Sequence, residues 1–380
     1  MMPMNHDLER LSRSGIRVFT NLARQTADCR MLTIGEPDLD TPREIREAAA
    51  RAMEAGQTHY APNQGTESLR RAIAAFETRR GRRTEAGEVL VTVGATQALN
   101  TALTGILNPG DEVIIPTPAF SLYDSIVTAA GAKSVFLDVS KTGFQITKEA
   151  LDACLTERTR AIVLNSPNNP TGVVYSRQTL EGLAELLRRK STQFGHPIYL
   201  IADEPYRELV YDGVEVPFLP TIYPNTLVCY SYSKSLSLPG ERIGYVCVPS
   251  CVEGQADVLH AVAGAARSSG HVCPPTLVQL ALQRCADARP DLAAYDANRR
   301  LLYRELTQMG YECIPPQGAF YLFVRVPDGD DVAFSQRAKL EHDLLVVPST
   351  AFHCPGFLRL SYCVSHDMIL RSLPAFRAIR

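Results

Sequence analysis

The sequence predicts an α/β protein: a mostly parallel sheet covered by helices, joined to a smaller α+β domain. Three observations carry this. Short apolar runs alternate with helix-like segments from Val89 to Val248, the pattern of a parallel sheet covered on both faces. A mostly helical stretch, Gln255 to Met309, precedes a final section where strand and helix patterns mix. The chain has 380 residues, more than one small core accommodates.

Taken in order, the first thirty residues read as an arm with some helical character. Met31 to Asp38 is a short extended piece ending in a Gly-x-Pro turn. Thr41, Pro42 and Glu44 read as N-cap, first helical residue and capping-box acid of a helix that Gly56 ends. A second helix runs from about Thr66 to Arg80, with Leu69, Ile73 and Phe76 on one face.

Strands are predicted at Val89–Val93, Asp111–Pro116, Ser134–Val139, Arg160–Leu164, Ile198–Ala202, Leu227–Tyr230 and Ile243–Val248. Helices are predicted at Ala95–Leu107, Ser121–Ala130 and Gln178–Lys190. Strand Phe320–Val326, helix Val332–His342, strands near Leu345 and Leu358 and a last helix complete the chain. The division expected is an arm at 1–45 belonging to the small domain, a large domain at 46–280 and the rest of the small domain at 281–380.

Composition narrows the function. Hydrophobic residues make up 45% and charged residues 21%, the profile of an ordinary globular protein. The formal net charge is −2 with the signs interspersed, so neither nucleic acid nor an anionic membrane is an expected partner. No apolar stretch is long enough to span a bilayer, and Met1 to Arg17 lacks the apolar core of a signal peptide. A cytoplasmic location is the expectation. The ten cysteines are scattered without a CxxC pair and read as reduced thiols rather than a metal site or a disulfide framework.

In an open parallel sheet, ligands lie beyond the carboxyl ends of the strands. After Val93 come Gly94, Ala95 and Thr96, opening a helix whose free N–H groups suit an anion. After Leu164 comes Asn165-Ser-Pro-Asn-Asn-Pro-Thr-Gly172, in which Asn169 can donate to a ligand oxygen. After Ala202 comes Asp203-Glu204-Pro205-Tyr206, a carboxylate at a buried strand end that needs a partner. After Tyr230 comes a loop with Ser231, Ser233, Lys234 and Arg242. A lysine among cationic or desolvating neighbours loses its proton and attacks carbonyls, and arginine suits phosphate. Each feature alone has a structural reading: turn glycine, surface turn, capping Asp. Together they point to one site.

At these residues the chain resembles the class I/II aminotransferases, enzymes of pyridoxal-phosphate (PLP) fold type I. The resemblance covers Gly35 to Arg359. It rests on Ser231-x-Ser-Lys234 with Arg242 eight residues on, on Asn169-Pro-Thr-Gly172 and on Asp203-x-x-Tyr206. It implies that Lys234 forms the Schiff base with PLP and that Asp203 pairs with the ring nitrogen. Asn169 and Tyr206 would hydrogen-bond the ring's phenolate oxygen, and Ala95, Thr96, Ser231 and Arg242 would hold the phosphate.

By the same resemblance Phe120, in Pro118-Ala-Phe-Ser-Leu-Tyr123, stacks on the ring. Tyr60, in Tyr60-Ala-Pro-Asn-Gln-Gly65, reaches the neighbouring subunit's phosphate, so the protein is expected to be a homodimer with shared active sites. Arg359 and Gly35, with Asn169, would bind the substrate's α-carboxylate. Arg267 has two readings: an arginine crossing into the partner's site to bind a distal carboxylate, or a solvated arginine on a helix.

The implied reaction is ping-pong transamination between an L-amino acid and a 2-oxo acid. The alternative on the same scaffold is a PLP-dependent lyase, of the C–S lyase or aminocyclopropane-carboxylate synthase type. A PLP-sensing transcription regulator is disfavoured, because Gly35 leaves no space before it for a DNA-binding domain and there is no basic patch.

Overall fold

The computed structural model describes residues 29–286 and 288–380, so the expected helical arm lies almost wholly outside the described residues. Seven strands form the main sheet: β2 (Val89–Thr92), β3 (Glu112–Thr117), β4 (Lys133–Asp138), β5 (Thr159–Asn165), β6 (Tyr199–Asp203), β7 (Thr226–Ser231) and β8 (Gly244–Cys247). Their order across the sheet is β2-β8-β7-β6-β5-β3-β4. The neighbours from β7 through β4 pair in parallel, and β8 runs antiparallel to both β7 and β2.

Alternate residues of one strand enter two different cores. On β5, Ile162 and Leu164 belong to one buried cluster, Ala161 and Val163 to the other. Because both faces are covered, the strand has no polar side, which explains its continuous apolar run.

Helices α1 (Arg43–Glu54) and α2 (Glu67–Thr78) precede the sheet. Between the strands lie α3 (Gly94–Ile106), α4 (Leu122–Ala129), α5 (Lys148–Cys154), α6 (Arg177–Phe194) and the single-turn α7 (Tyr232–Ser235). One local expectation is corrected, and one helix was not foreseen. The Thr41 side chain does not cap α1: its hydroxyl donates to the Ser237 carbonyl at 2.6 Å, and no side-chain cap is formed. A long-range contact therefore replaces the capping box. Helix α5 has no counterpart in the sequence reading, because seven residues with only Leu151 buried leave no periodic signal.

The stretch read as mostly helical is three helices: α8 (Gln255–Ser268), α9 (Thr276–Leu282) and α10 (Ala293–Gln308). Gly270, at φ +83°, Pro274-Pro275 and Pro290 lie in the gaps.

The C-terminal section holds a four-stranded antiparallel sheet, ordered β12 (Val347–Pro348), β13 (Phe357–Ser361), β10 (Tyr321–Arg325) and β9 (Cys313–Ile314). Helices α11 (Asp331–His342) and α12 (His366–Ile379) pack with it. Residues Arg30–Met31 (β1) pair in parallel with Leu344–Leu345 (β11), and the Ser361 N–H donates to the Leu32 carbonyl. These bonds draw the start of the described chain against its end, which places Thr33 to Glu36 beside the main sheet's loops.

Candidate active site

A cavity of about 840 Å³ opens where the parallel strands end. All the predicted site residues except Tyr60 line it. Tyr60 is 94% exposed, the most exposed of the large hydrophobic side chains among the described residues. Arg267 is exposed in the last turn of α8 and does not reach the cavity of its own chain.

One end of the cavity is cationic. Gly94 begins α3 at φ +75°, and a Cβ there would lie 2.6 Å from the Arg242 guanidinium. Only glycine lets the first N–H groups of α3 approach that guanidinium, and both attract an anion. Arg242 lies two residues before β8, so the antiparallel course of that strand is what brings it to this edge. Arg242 Nη1 donates to the Pro239 carbonyl at 2.9 Å and contacts Ser233 Oγ at 3.5 Å, while Ser231 Oγ lies 2.7 Å from Ser233 Oγ.

Lys234 sits in α7, which Ser231 caps by accepting from the Ser233 N–H. Its Nζ donates to the Gly35 carbonyl. Burial pushes its ammonium down to about 8, and Arg359 and Arg242 add repulsion against the opposing pull of Cys363 and Glu36. Gly35 itself lies so close to Tyr321 that a Cβ would overlap the phenol oxygen.

Asp203 closes β6. Its Oδ2 accepts from the Tyr123 hydroxyl at 2.5 Å and from Asn165 Nδ2 at 3.4 Å. Its Oδ1 is buried with no hydrogen-bond partner. Burial pushes this carboxyl up to about 7, although the Tyr123 hydrogen bond pulls the other way. Asn165 also receives the Asn169 N–H on its Oδ1 at 2.7 Å, so one amide ties the end of β5 to β6 and to the loop that follows β5.

Arg359, on β13, is 4% exposed. Its Nη1 donates to Asn169 Oδ1 at 3.0 Å and its Nη2 to the Thr33 carbonyl, while Nε has no partner. The Tyr206 and Tyr321 hydroxyls are 2.9 Å apart and buried. Phe120 is partly buried, edge-on to Tyr123 with centroids 6.0 Å apart.

Tyr123, Asn165, Ser233 and Tyr321 also line the cavity, and the sequence reading gave them no role. Tyr123, Asn165 and Ser233 fall inside the segments already singled out, and Tyr321 lies on the strand expected at Phe320–Val326. The missing information was which side chain of each segment turns inward.

An amine that sheds its proton near pH 8, flanked by guanidinium groups, is a base and nucleophile beside anion sites. Such a cavity belongs to an α/β enzyme acting on small anionic compounds. Comparison with known proteins refines this. The profile of the family "Aminotransferase class I and II" matches residues 27–376. The aspartate/prephenate aminotransferase of Thermus thermophilus is 37% identical, covering 94% of this chain and 92% of the relative. Aromatic-amino-acid aminotransferase 2 of Thermococcus litoralis is 32% identical over 97% and 96%.

Among solved structures, an amino transferase from Eubacterium rectale superposes with a TM-score of 0.94 at 41% identity, covering 100% of this chain and 98% of that one. Aspartate aminotransferase from Thermus thermophilus with maleate gives 0.90 at 34%, covering 100% of both. This chain belongs to the class I and II aminotransferases. It is an enzyme that transfers amino groups, with the fold type I architecture expected of it. The relatives give no support to the lyase reading. No helix among the described residues is long and apolar enough to cross a membrane.

Proposed function

We propose that this aminotransferase uses pyridoxal 5′-phosphate attached through Lys234 and exchanges amino groups between an L-amino acid and a 2-oxo acid by ping-pong turnover. The observation that carries the reading is the orphaned Asp203 Oδ1, a buried carboxylate oxygen with no partner in a cavity that also holds Lys234. A protonated pyridine nitrogen is the partner such an oxygen lacks. The donor set at the other end, Arg242 with Ser231 and the α3 N-terminus at Ala95 and Thr96, has the chemistry of a phosphate cradle.

When bound, the cofactor supplies an aldehyde carbon that receives the amino group and a protonated ring that accepts the electron pair released at Cα. The rest falls to the protein's own residues. Asp203 keeps the ring nitrogen protonated. Tyr206, and Asn169 through its amide N–H groups, donate to the phenolate, because the Asn169 oxygen already accepts from Arg359. Phe120 covers the ring face. Arg359 and Gly35 hold the substrate α-carboxylate so that its Cα meets Lys234 Nζ. That amine takes the Cα proton and returns it on the far side of the transfer.

The proposal includes a homodimer in which Tyr60 completes the partner's phosphate cradle. Its near-complete exposure in a single chain supports this, since a tyrosine gains little from full hydration. It also includes the division into an arm at 1–45, a large domain at 46–280 and a small domain at 281–380. A cytoplasmic setting accords with ten cysteines, none of them in a disulfide among the described residues.

The test is chemical. Protein incubated with pyridoxal phosphate, reduced with borohydride and digested should yield a labelled peptide containing Lys234. Label at any other lysine, or none, would remove the basis of the proposal.

A further inference from the structure

Resting on the reading that Asp203 meets the cofactor's ring nitrogen, we infer that Tyr123 is a positioning residue that favours the ionised form of Asp203 and turns its unpaired oxygen toward the ligand. The geometry points to this tyrosine. The Tyr123 hydroxyl donates to Asp203 Oδ2 at 2.5 Å in a buried setting, and Asn165 Nδ2 approaches the same oxygen at 3.4 Å while donating to the Asp203 carbonyl at 2.9 Å. Both donors occupy one edge of the carboxylate. The other oxygen, Oδ1, is buried without a partner on a residue that lines the cavity.

A hydroxyl donor favours the anion over the neutral acid, because a protonated carboxyl loses acceptor strength. Here that preference decides the charge state. Burial raises Asp203 and the Tyr123 bond lowers it, and together they leave the carboxyl at about 7, so loss of the bond would carry it higher and leave mostly neutral acid at neutral pH. The ionisable groups facing Asp203 are few. Tyr123 comes from α4, Glu204 and Tyr206 from its own turn, and Cys229 from β7, whose Cα pairs with that of Asp203. Burial raises both tyrosines and the thiol well above their ordinary values, so they stay neutral through the working range. Glu204 raises Asp203 further, and its charge is held by Arg207 and Arg80. Tyr123 is thus the group among these that lowers the Asp203 titration.

The consequence is a pH signature in ligand binding. A cationic ring binds strongly where Asp203 is ionised, above its pKa, and weakly as pH falls through it. Replacing Tyr123 by Phe removes one oxygen atom and leaves the ring in place. The Asp203 titration should then move up by about one to two pH units, the worth of a hydrogen bond to a charged group.

The experiment measures the affinity of cofactor-free protein for pyridoxamine 5′-phosphate, which has no aldehyde and so forms no bond to Lys234, by calorimetry from pH 5.5 to 9. Wild type and Tyr123→Phe are run in the same buffers, so the ligand's own titrations cancel. The midpoint of the affinity loss should move upward in Tyr123→Phe, giving roughly five- to fiftyfold weaker binding near pH 7 and convergence with wild type at the alkaline end. Asp203→Asn should bind weakly with no midpoint of this origin. Phenyl phosphate, which lacks a ring nitrogen, should bind wild type and Tyr123→Phe alike.

An unchanged midpoint in a folded Tyr123→Phe overturns the inference. Equal weakening of both probes at every pH overturns it too, since that is the mark of a disturbed cavity. Failure of wild type to bind pyridoxamine phosphate would count instead against the cofactor reading.

Discussion

Two buried clusters of charge flank the end of β6, and they differ in how completely they are paired. Behind the strand, Arg207 donates to Glu77 at 2.5 Å, Tyr245 at 2.8 Å, Glu204 at 3.0 Å and Glu208 at 2.9 Å. Its guanidinium lies over the Tyr230 ring at 4.1 Å and the Phe76 ring at 4.8 Å. A fully buried oxygen there without a hydrogen bond, Glu77 Oε2, is still 3.9 Å from Arg80 Nη1. In front of the strand, Asp203 Oδ1 and Arg359 Nε are buried with nothing to bond. Full pairing leaves Arg207 able only to hold the structure. The unpaired atoms of the cavity retain binding capacity for a ligand.

The pKa shifts repeat the contrast. For Glu77, burial pushes upward, but Arg207 and Arg80 overcome it and hold the carboxyl below the usual range. For Asp203, burial prevails.

The sharpest way to break this comparison is to remove the central cation of each cluster. Lys234→Ala should lower turnover by roughly 10²–10⁴-fold through proton transfer alone, while thermal stability stays near that of wild type. Arg207→Met should do the reverse, costing about 3–5 kcal/mol of stability in denaturant titrations because it strands buried carboxylates. If Arg207→Met unfolds no more readily than wild type, the network is not the scaffold it resembles.

A second test uses acid and base on the cofactor-free protein. Asp203 has its carboxyl raised in the folded state. Its contribution to stability is therefore full below about pH 4 and is lost as pH rises toward 7, on the order of 4 kcal/mol in all. Glu77 is lowered, so its contribution is present above its unfolded pKa and lost as pH falls into the acid range. Asp203→Asn should flatten the stability curve between pH 4 and 7, and Glu77→Gln should flatten its acid limb. Parallel changes in the two variants would show that the clusters do not differ as described.

The smallest effect concerns a residue outside both clusters. Tyr60→Phe should weaken pyridoxal phosphate retention several-fold, the worth of about one hydrogen bond. The purified protein should sediment as a dimer. A monomer that turns over at the wild-type rate would contradict a shared site.

Much of this was legible in the sequence. Strand β5 could be read because a strand buried on both faces must be apolar throughout, and β6 for the same reason. Lys234, Asp203 and Asn169 could be read because a parallel sheet presents its strand ends on one edge, and polar residues following apolar runs mark that edge. Helix α5 could not, being too short to show a period. Tyr123 and Asn165 lay in plain view, but their roles depend on register: Asn165 meets Asp203 only because β5 and β6 pair at those two residues. Thr41 looked like a cap, and its hydroxyl is instead drawn to Ser237, almost two hundred residues away.

The sequence by itself determined the layered α/β scaffold and the chemical kinds of group at each strand end, because apolar periodicity and local turn chemistry act over a few residues. The tertiary structure alone decided which of those groups meet. Reversal of β8 carries Arg242 back to Gly94, and β13 brings Arg359 to Thr33 across 326 positions. No short-range signal encodes such meetings. They follow from the requirement that both faces of one sheet and the face of another be buried at once, and that requirement is met only when the whole chain has folded.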